Sequence, residues 1–515
     1  MKGVRKLSQN HGSKGFIVVS NRLPVVLEEQ NGTLSVKSGS GGLISALSPA
    51  LRDRGGSWIG WLGTSETVRI KHIKSLLGPI SSQSGYRLLP IFMTHQEVKL
   101  FYQGFCNEIV WPLFHDLQSR CRFDPTYWDT YLKVNQKFAK VTVKHSDRWN
   151  LIWVNDYHLI PLGKMLRDKR PNCAFFLHIP FPPPDIFMKL PWRQQVMEQL
   201  LSYRLTAFQT DRDADNFLRC FKELNPRSRV MTRKGGGRGF KLSHQWETVV
   251  GAFPISIDFR YFEGLAKSPA VRKKADQIRR AHQGRRIMLG IDRLDYTKGI
   301  LERFRAFELL LQRDPSLLGK VTLVQLLVPS REDVTSYRNL REEIDREAGR
   351  IIGRFATLDW IPITYMYQSV GQEDLAALYR AAHVGLVTSL KDGMNLVSKE
   401  YCACHPDNDG VLILSEFAGS AVELGAGAIT VNPYDMEGMA NAMQKALFMP
   451  DEERKRRMSL MRRRIKGWDV FRWMDSFLNT AAGLTLSSLP KRELPPIIRR
   501  PRAPLDGGRG ASGSV

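Results

Sequence analysis

The sequence carries two cations on a turn between an apolar run and a helical pattern. Residues 291–299 read IDRLDYTKG, so Arg293 and Lys298 lie just after the apolar run. Cations placed in this way can neutralise the negative charge that develops on a diphosphate leaving group. Asp292 and Asp295 could instead pair with these cations as structural salt bridges. The sequence is compatible with a diphosphate site and with such ion pairs.

A second candidate anion site follows the apolar run at 384–389, where residues 391–401 read KDGMNLVSKEY. The backbone amides of Met394, Asn395 and Leu396 open a predicted helix, and amides at a helix start can donate to a phosphate. Glu400 lies further along the same helix and could accept hydrogen bonds from ribose hydroxyls. A plain helix start with a charged face is the alternative.

A third candidate anion site lies near the N terminus, where Arg22 follows the first apolar run. The glycine-rich turn 38–43 includes Gly42 and leads into a helical pattern, so its amides could face a phosphate. Arg22 could hold a second anion through two parallel hydrogen bonds. An ordinary strand, loop and helix would produce the same pattern.

Aromatic and polar side chains in the first half of the chain could bind a sugar. Tyr102 and Trp111 belong to an aromatic-rich segment, and a sugar presents C–H faces to aromatic rings as well as hydroxyls. Asp156 and His178 follow or end two apolar runs and could contact hydroxyls or carry protons. Ordinary core packing is the alternative for Tyr102, Trp111 and His178.

These candidate residues follow short apolar runs that predict the strands of parallel sheets. The runs lie at 16–20, 151–154, 174–179, 286–290, 322–328, 384–389 and 411–417. Such strands belong in sheets covered on both faces, with intervening helices as crossovers. The predicted helices lie at 190–204, 299–313, 331–348, 372–382 and 436–447. The runs form an early group ending near residue 254 and a late group beginning near 286, which predicts two sheets facing across a ligand-binding cleft.

Composition restricts the functional classes. The 515 residues carry a net charge of +25, which favours nucleotides, phosphorylated small molecules or other anions as partners. No stretch of 18 apolar residues and no signal-peptide pattern occurs, so a cytoplasmic protein is expected. Neither GxxxxGK[ST] nor GxSxG occurs, which argues against a P-loop NTPase and a serine hydrolase of the nucleophile-elbow type.

No metal site or disulfide framework is expected. The six cysteines show no paired CxxC spacing, which favours a reduced cytosolic protein. Asp211, Asp213 and Asp215 have a spacing that could hold a divalent cation, but they follow Thr210 at a predicted helix start. They are therefore predicted to be first-turn acids that favour the helix dipole. The stretch KGGGRG at 234–239 is predicted to be a mobile loop.

Nine motifs in this order resemble those of the trehalose-6-phosphate synthases over about residues 16–480. They are SNRLPV at 20–25, SGGL at 40–43, NEIVWPLFH at 107–115, NDYHL at 155–159, FFLHIPFP at 175–182, FQTDRD at 208–213, IDRLDYTKG at 291–299, KDGMNLVSKEY at 391–401 and LSEFAGSAVEL at 414–424. The resemblance implies an α/β GT-B fold with two Rossmann-like domains and a C-terminal helix that crosses back. The implied division is a basic tail at 1–15, an acceptor-binding domain at 16–255, a sugar-nucleotide-binding domain at 256–466, the crossing helix at 467–484 and a disordered basic tail at 485–515.

The resemblance also implies an activity: transfer of glucose from UDP-glucose to glucose 6-phosphate with retention of configuration, giving trehalose 6-phosphate and UDP without a cofactor or metal. Carried over motif by motif, the catalytic residues would be Arg293, Lys298, His178 and Asp392. The sugar nucleotide would contact Gly42, Arg293, Lys298, Met394, Asn395, Leu396 and Glu400. The acceptor would contact Arg22, Tyr102, Trp111, Asp156 and Arg331.

Asn155 is a departure from the family, which usually has His at this position, although the neighbouring Asp156 is retained. The first rival function is a glucosylglycerol-phosphate synthase that uses ADP-glucose and glycerol 3-phosphate; Arg22 and Arg331 argue against it. The second is a catalytically inactive relative with a regulatory or nucleic-acid-associated role. Neither a membrane nor a specific nucleic acid is expected as a partner. A separate trehalose-6-phosphate phosphatase would be needed to reach trehalose. The chain could form a homo-oligomer.

Overall fold

The computed structural model describes residues 16–30, 33–39, 44, 47–48, 51–52, 55–65, 70–228, 230–232, 238–243, 246–331 and 334–483. Within them, the strands form two large sheets and a separate two-stranded hairpin. The two large sheets contain the early and the late group of apolar runs, respectively. The prediction of two α/β sheets is therefore confirmed.

The first sheet has nine strands from the first half of the chain. In chain order the strands of this half are β1 (Phe16–Arg22), β2 (Val25–Gln30), β3 (Thr33–Ser38), β4 (Ser57–Ser65), β5 (Arg87–Met93), β6 (Leu151–Asn155), β7 (Cys173–Phe176), β8 (Leu205–Phe208), β9 (Val230–Thr232), β10 (Arg238–Ser243) and β11 (Trp246–Ala252). β2 and β3 form the hairpin, and the sheet order is β5-β4-β1-β6-β7-β8-β11-β10-β9. Pairing is parallel from β5 to β11 and antiparallel on both sides of β10.

The loop prediction for 234–239 is wrong at its end. Arg238 and Gly239 belong to β10, where they pair with both β9 and β11. Hydrogen bonds from two neighbouring strands outweigh the low strand propensity of glycine at that position. Residues 234–237 lie outside the described residues.

The second sheet has six parallel strands. They are β12 (Arg286–Arg293), β13 (Val321–Val328), β14 (Ile363–Tyr367), β15 (Val384–Val387), β16 (Val411–Ser415) and β17 (Ile429–Val431). The order is β14-β13-β12-β15-β16-β17, so the chain reverses its direction of travel across the sheet between β12 and β15. Open α/β sheets bind ligands at such a switch point, beyond the carboxyl ends of the strands. The segments 291–299 and 391–401 both start there.

Helices cover the sheets as crossovers. The described α-helices of four or more residues are Ile70–Ser84, Trp111–Phe114, Pro125–Lys144, Leu162–Leu166, Pro184–Phe187, Arg193–Leu200, Asp211–Leu224, Phe259–Lys267, Pro269–Ala281, Ile300–Arg313, Thr335–Phe355, Gln372–Ala381, Leu396–Ala403, Ala421–Leu424, Met436–Leu447, Asp451–Gly467 and Val470–Ala481. Each of the five predicted helices is present, although the predicted 331–348 runs as Thr335–Phe355. Within the described part of the chain, every helix is too short or too polar to cross a bilayer.

A long helical segment at 95–114 presents aromatic side chains to the first sheet. Thr94 and Glu97 cap its start by bonding each other's backbone N–H. Its middle, Val98–Val110, is wound as a π-helix, a form that is rare and usually occurs at functional sites. The segment then ends with Trp111–Phe114, so it carries both Tyr102 and Trp111 towards the cleft.

The last described helix, Val470–Ala481, returns to the first sheet. The Trp153 ring of β6 lies 4.2 Å from the Phe477 ring and 5.3 Å from the Trp473 ring. The Trp473 indole N–H also donates to the Phe253 carbonyl at 3.0 Å. We propose a domain division near residues 255–256, because β11 ends the first sheet at Ala252 and the helix Phe259–Lys267 packs against the second.

Candidate functional site

Lys298 and Asp392 meet at the carboxyl edge of the second sheet. Lys298 lies in the turn after β12 and Asp392 in the loop after β15, and Lys298 Nζ donates to Asp392 Oδ2 at 2.6 Å. Burial alone would raise the pKa of Asp392, but the Lys298 ammonium and the Asn395 amide outweigh it and lower the pKa. Asp392 is therefore a carboxylate at neutral pH, held by its hydrogen bond from Lys298.

Arg293 ends β12 with an exposed side chain. Its guanidinium carbon lies 5.9 Å from the Trp111 ring centroid, so it faces the segment contributed by the first sheet. None of the described acidic side chains forms an ion pair with it. Its charge is therefore available to an anion in the cleft.

The structural alternative for the two local acids is wrong. Asp292 pairs instead with the fully buried Arg303, whose Nη1 donates to Asp292 Oδ2 at 2.6 Å. Asp295 pairs with Arg331, whose Nη1 donates to Asp295 Oδ2 at 3.2 Å. Neither acid pairs with Arg293 or Lys298. Their partners lie elsewhere: Arg303 in the helix after β12 and Arg331 in the segment after β13.

Tyr102 lies between two arginines. The Arg22 guanidinium is 5.5 Å from the Tyr102 ring centroid and 4.2 Å from that of Trp61. Burial would raise the pKa of Tyr102, yet Arg331 and Arg22 together lower it. Two guanidinium groups that converge on one phenol form an arrangement suited to a doubly charged phosphate.

Arg331 joins the two halves of the cleft. Its guanidinium carbon lies 4.1 Å from the Trp111 ring centroid, and Nη2 donates to the Tyr157 hydroxyl at 3.3 Å. It also donates to the Tyr337 hydroxyl and to Asp295. Trp111 in turn donates its indole N–H to Asp295 Oδ1 at 3.4 Å. The Arg331 guanidinium is thus held by residues from both halves of the chain, Trp111 and Tyr157 from the first and Asp295 and Tyr337 from the second.

Asp156 is strained and partly buried directly after β6. Its backbone has φ 75 and ψ 165, a combination that is costly for residues other than glycine and that clusters at functional sites. Its Oδ1 accepts the His178 backbone N–H at 3.1 Å. Burial raises the pKa of Asp156 to about 6 although Tyr157 and His178 amides and two arginines oppose this shift. A carboxyl group with this pKa can bind a hydroxyl in either protonation state.

His178 follows β7 and faces Asn155 and Gln209. Its Nε2 lies 3.1 Å from Asn155 Oδ1, and its Nδ1 lies 3.3 Å from Gln209 Nε2. Burial lowers the pKa of His178 to about 3, so the ring is neutral at pH 7. A β carbon at Gly393 would lie 2.3 Å from the His178 carbonyl oxygen, so glycine is needed where the loop after β15 meets the first sheet.

The segment after Asp392 opens the predicted helix, and Asn395 is its cap. Asn395 Oδ1 accepts the Ser398 N–H at 3.0 Å, so the helix Leu396–Ala403 begins four residues after Asp392. The buried Met394 packs into the core of the first sheet, and Leu396 packs beside it. Gly42 lies outside the described residues.

Glu400 is held by a tyrosine hydroxyl. Tyr379 Oη donates to Glu400 Oε2 at 2.8 Å. Burial raises the pKa of Glu400, and the bond from Tyr379 opposes that rise. Since one carboxylate oxygen is occupied, the other is left to accept a ligand hydroxyl.

The comparisons with known proteins agree with this arrangement. A family model described as glycosyltransferase family 20 matches residues 14–482. The chain belongs to glycosyltransferase family 20. A trehalose-6-phosphate synthase from Mycolicibacterium smegmatis is 42% identical over 500 residues, which are 94% of this chain and 97% of the relative. One from Mycobacterium tuberculosis is 40% identical over 484 residues, 92% of this chain and 96% of the relative.

Solved structures of similar family 20 proteins share the fold. The alpha,alpha-trehalose-phosphate synthase (UDP-forming) from Burkholderia xenovorans in complex with glucose-6-phosphate aligns with a TM-score of 0.81 and 35% identity, covering 91% of this chain and 100% of that one. An E. coli structure bound with UDP-2-fluoro glucose aligns with a TM-score of 0.80 and 34% identity, covering 91% and 99%. The predicted resemblance and the GT-B fold are confirmed.

The sequence reasoning missed His115 in this family 20 site. The His115 and Trp111 ring centroids lie 4.2 Å apart, and His115 Nδ1 is 2.7 Å from the Trp111 carbonyl oxygen. Because a carbonyl only accepts, Nδ1 carries the proton, and Nε2 is left as an acceptor. Burial lowers the pKa of His115 to about 4, and the charges of Asp392 and Lys298 also act on it. Its spacing of four residues from Trp111 on a helical segment was the available signal.

The prediction of first-turn acids after Thr210 is confirmed for Asp211 and Asp213 and is wrong for Asp215. Thr210 caps Asp211–Leu224, and Asp213 completes the capping box while accepting the Phe181 N–H at 2.9 Å. Asp211 and Asp213 are first-turn acids, and Asp215 lies one turn further along. Among the described residues, no three His, Cys, Asp or Glu side chains are placed to share a metal ion.

Proposed function

We propose that this chain moves glucose from UDP-glucose to glucose 6-phosphate with retention of configuration, releasing UDP and forming trehalose 6-phosphate. The observation that carries the proposal is the convergence of two cation groups on one cleft: Arg293 and Lys298 from the second sheet, and Arg22 and Arg331 around Tyr102. The similar proteins from B. xenovorans and E. coli bind glucose-6-phosphate and UDP-2-fluoro glucose, respectively, which supports a substrate pair of this chemistry.

The donor would lie along the second sheet. Arg293 and Lys298 would neutralise the diphosphate, with the amides of the Met394, Asn395 and Leu396 segment and Gly42 assisting. Glu400 would accept the ribose hydroxyls with the oxygen that Tyr379 leaves free. His178 and Asp392 would hold the transferred glucose, since both are partly buried hydrogen-bonding groups, with Asp392 beside the Lys298 ammonium and His178 beside Asn155.

The acceptor would lie against the first sheet. Arg22, Tyr102 and Arg331 would bind its phosphate, because the two guanidinium groups flank the Tyr102 phenol. Trp111 and Asp156 would contact the sugar through its C–H face and its hydroxyls. Arg331 lies over Trp111 at 4.1 Å, which keeps the phosphate and sugar subsites adjacent.

The proposed reaction is one that cations can promote without a carboxylate nucleophile, because Arg293 and Lys298 lie at the proposed diphosphate site. The C1–O bond to the β-phosphate breaks while the acceptor's anomeric hydroxyl oxygen bonds C1 on the same face. The proton of that hydroxyl passes to the departing phosphate oxygen, so no protein nucleophile is required. Arg293 and Lys298 stabilise the charge that grows on this oxygen, and the two subsites hold the reactants together.

The test is a panel of purified donors and acceptors. Nucleotide release is quantified with UDP-, ADP- and GDP-glucose against glucose 6-phosphate and glycerol 3-phosphate. We expect the highest kcat/KM for UDP-glucose with glucose 6-phosphate. Preference for glycerol 3-phosphate would overturn the acceptor, and absence of turnover together with salt-resistant nucleic-acid binding would overturn the transferase itself.

Tyr379→Phe tests the assignment of Glu400. Removing the hydroxyl leaves Glu400 free to turn, so we expect the KM for UDP-glucose to rise about 3-fold to 10-fold while kcat changes little. Tyr261→Phe is the matched control, because its exposed hydroxyl bonds Gln372 at the start of the same helix. An unchanged KM in Tyr379→Phe, measured by initial rates, would contradict a ribose contact at Glu400.

We infer that the protein works in the cytoplasm, where its six cysteines, five of them buried, stay reduced. A separate phosphatase would convert the phosphorylated disaccharide to trehalose.

A further inference from the structure

His178 is the centre of a row of five hydrogen-bonding groups whose two ends are backbone atoms. At one end, the Ile255 N–H donates to Gln209 Oε1 at 3.0 Å. A backbone N–H can only donate, so the oxygen of this amide must face Ile255. The Gln209 nitrogen therefore faces His178 Nδ1, 3.3 Å away. Gln209 is 1% exposed, so water does not compete for these bonds.

The other end is defined in the same way. Asn155 Nδ2 lies 3.2 Å from the Trp153 carbonyl oxygen and 3.5 Å from the Val19 carbonyl oxygen. Carbonyl oxygens only accept, so the nitrogen of this amide faces the strands and its oxygen faces the ring. Asn155 Oδ1 is 3.1 Å from His178 Nε2, and the Asn155 side chain is fully buried.

These two ends leave one arrangement of protons on the ring. Because Gln209 offers N–H bonds, Nδ1 must accept and carries no proton. Because Asn155 offers an oxygen, Nε2 must donate and carries the proton. A doubly protonated ring would point its Nδ1–H at the N–H groups of Gln209, and burial also lowers the pKa of His178. Both effects favour the neutral ring.

We propose that Asn155 and Gln209 are positioning residues that hold His178 neutral, with its proton on Nε2, for binding of the transferred glucose. The tautomer itself is independent of the proposed function, whereas its use in sugar binding rests on it. Both ring nitrogens of this form are directed at protein groups, Nδ1 at Gln209 and Nε2–H at Asn155. A glucose hydroxyl would therefore contact the ring by sharing the Nε2–H hydrogen with Asn155 Oδ1 in a three-centre bond. Asn155 Oδ1 accepts the Nε2–H hydrogen of His178. Where the family usually has His at this position, a nitrogen of that histidine's ring could accept the same hydrogen.

The same row reaches the connection between the two sheets. Ile255 donates to Gln209 of the first half, and its carbonyl accepts from Lys399 Nζ at 2.8 Å. Lys399 belongs to Leu396–Ala403, the helix that also carries Glu400. The orientation of His178 is therefore tied to the residue at which the two halves of the molecule join.

The first measurement uses the unaltered protein. With histidine labelled by ¹⁵N, long-range ¹H–¹⁵N correlation spectra show which ring nitrogen carries the proton, and a His178→Asn sample assigns the signals. We expect a neutral His178 with Nε2 protonated and Nδ1 unprotonated at pH 7. A proton on Nδ1, or a doubly protonated ring, would overturn the proposal whether or not the protein is active. The expected tautomer in a protein without transferase activity would leave the proton arrangement intact and overturn only the proposed function.

Gln209→Glu reverses one end of the row while keeping its shape. The carboxylate still accepts from Ile255 but turns an oxygen towards His178 Nδ1, so we expect Nδ1 to gain a proton. We expect kcat/KM for UDP-glucose to fall roughly 10-fold to 100-fold, since a proton on Nδ1 either charges the ring or leaves Nε2 without the hydrogen proposed for the glucose contact. Gln277→Glu adds the same charge on an exposed helix and should change neither signal nor rate. Unchanged His178 signals and unchanged kcat/KM in Gln209→Glu would refute the assignment.

Asn155 provides an independent pair of variants. Asn155→Leu removes the acceptor with little change in volume, and we expect a roughly 10-fold loss of kcat/KM together with a mixture of His178 tautomers. Asn155→His restores a ring nitrogen that can accept, and we expect most of the activity and the single tautomer to be kept. If the leucine and histidine variants behave alike in both measurements, Asn155 does not position His178.

Discussion

Arg293→Ala and Lys298→Ala are each expected to lower kcat by about 100-fold to 1,000-fold. Each removes one of the two cations proposed to face the diphosphate as it departs, and that stabilisation is stronger in the transition state than in the ground state. The effect should therefore appear mainly in kcat rather than in the KM for UDP-glucose. Initial rates of UDP release with saturating glucose 6-phosphate measure it.

The two variants differ in their side effects. Arg293 is exposed and has no ion pair among the described residues, so its loss should leave the free energy of unfolding nearly unchanged. Lys298→Ala removes the cation that pairs with the partly buried Asp392 and should also destabilise the fold. Arg286→Ala is the matched control, because Arg286 is exposed at the opposite end of β12. Near-normal kcat in Arg293→Ala would remove the proposed leaving-group role.

Arg331→Met is expected to have two separable effects. It leaves Asp295 buried without its cation, which should lower the free energy of unfolding by about 3 kcal/mol. It also removes one of the two guanidinium groups beside Tyr102, which should raise the KM for glucose 6-phosphate about 10-fold to 100-fold. Urea unfolding and acceptor-dependent initial rates measure the two effects.

A second substitution separates them. In the double variant Asp295→Asn with Arg331→Met, no unpaired carboxylate remains, so part of the lost stability should return. The KM for glucose 6-phosphate should stay high, because the phosphate still lacks a cation. A protein that regains its acceptor KM along with its stability would show that Arg331 acts only through the fold.

The sheets were predictable because their strands are buried on both faces. Such strands are apolar along nearly their whole length, as in β7 or β15, so the sequence pattern indicates their position directly. The turns after β12 and β15 were predictable for a related reason. Polar and glycine residues that directly follow an apolar run mark the point where the strand ends. The π-helix at Val98–Val110 was not predictable, because its aromatic spacing fits an ordinary helix.

The partners of charged residues were not predictable. Asp292 and Asp295 stand next to Arg293 and Lys298 in sequence, yet they pair with Arg303 and Arg331. Ion-pair choice depends on which side chains the crossovers bring within about 4 Å, and sequence proximity does not decide that. The hydrogen bond from the Tyr379 hydroxyl to Glu400 was not predictable for the same reason, since it joins two helices that β15 separates in the sequence.

The amino-acid sequence alone determined the two-sheet architecture, the family resemblance and the segments that line the cleft, because apolar periodicity and short motifs are local properties. Only the tertiary structure decided which cations remain free for an anion and which proton the ring of His178 carries. Both depend on the directions from which Asn155, Gln209 and the arginines approach, and those directions are set by chain segments far apart in sequence.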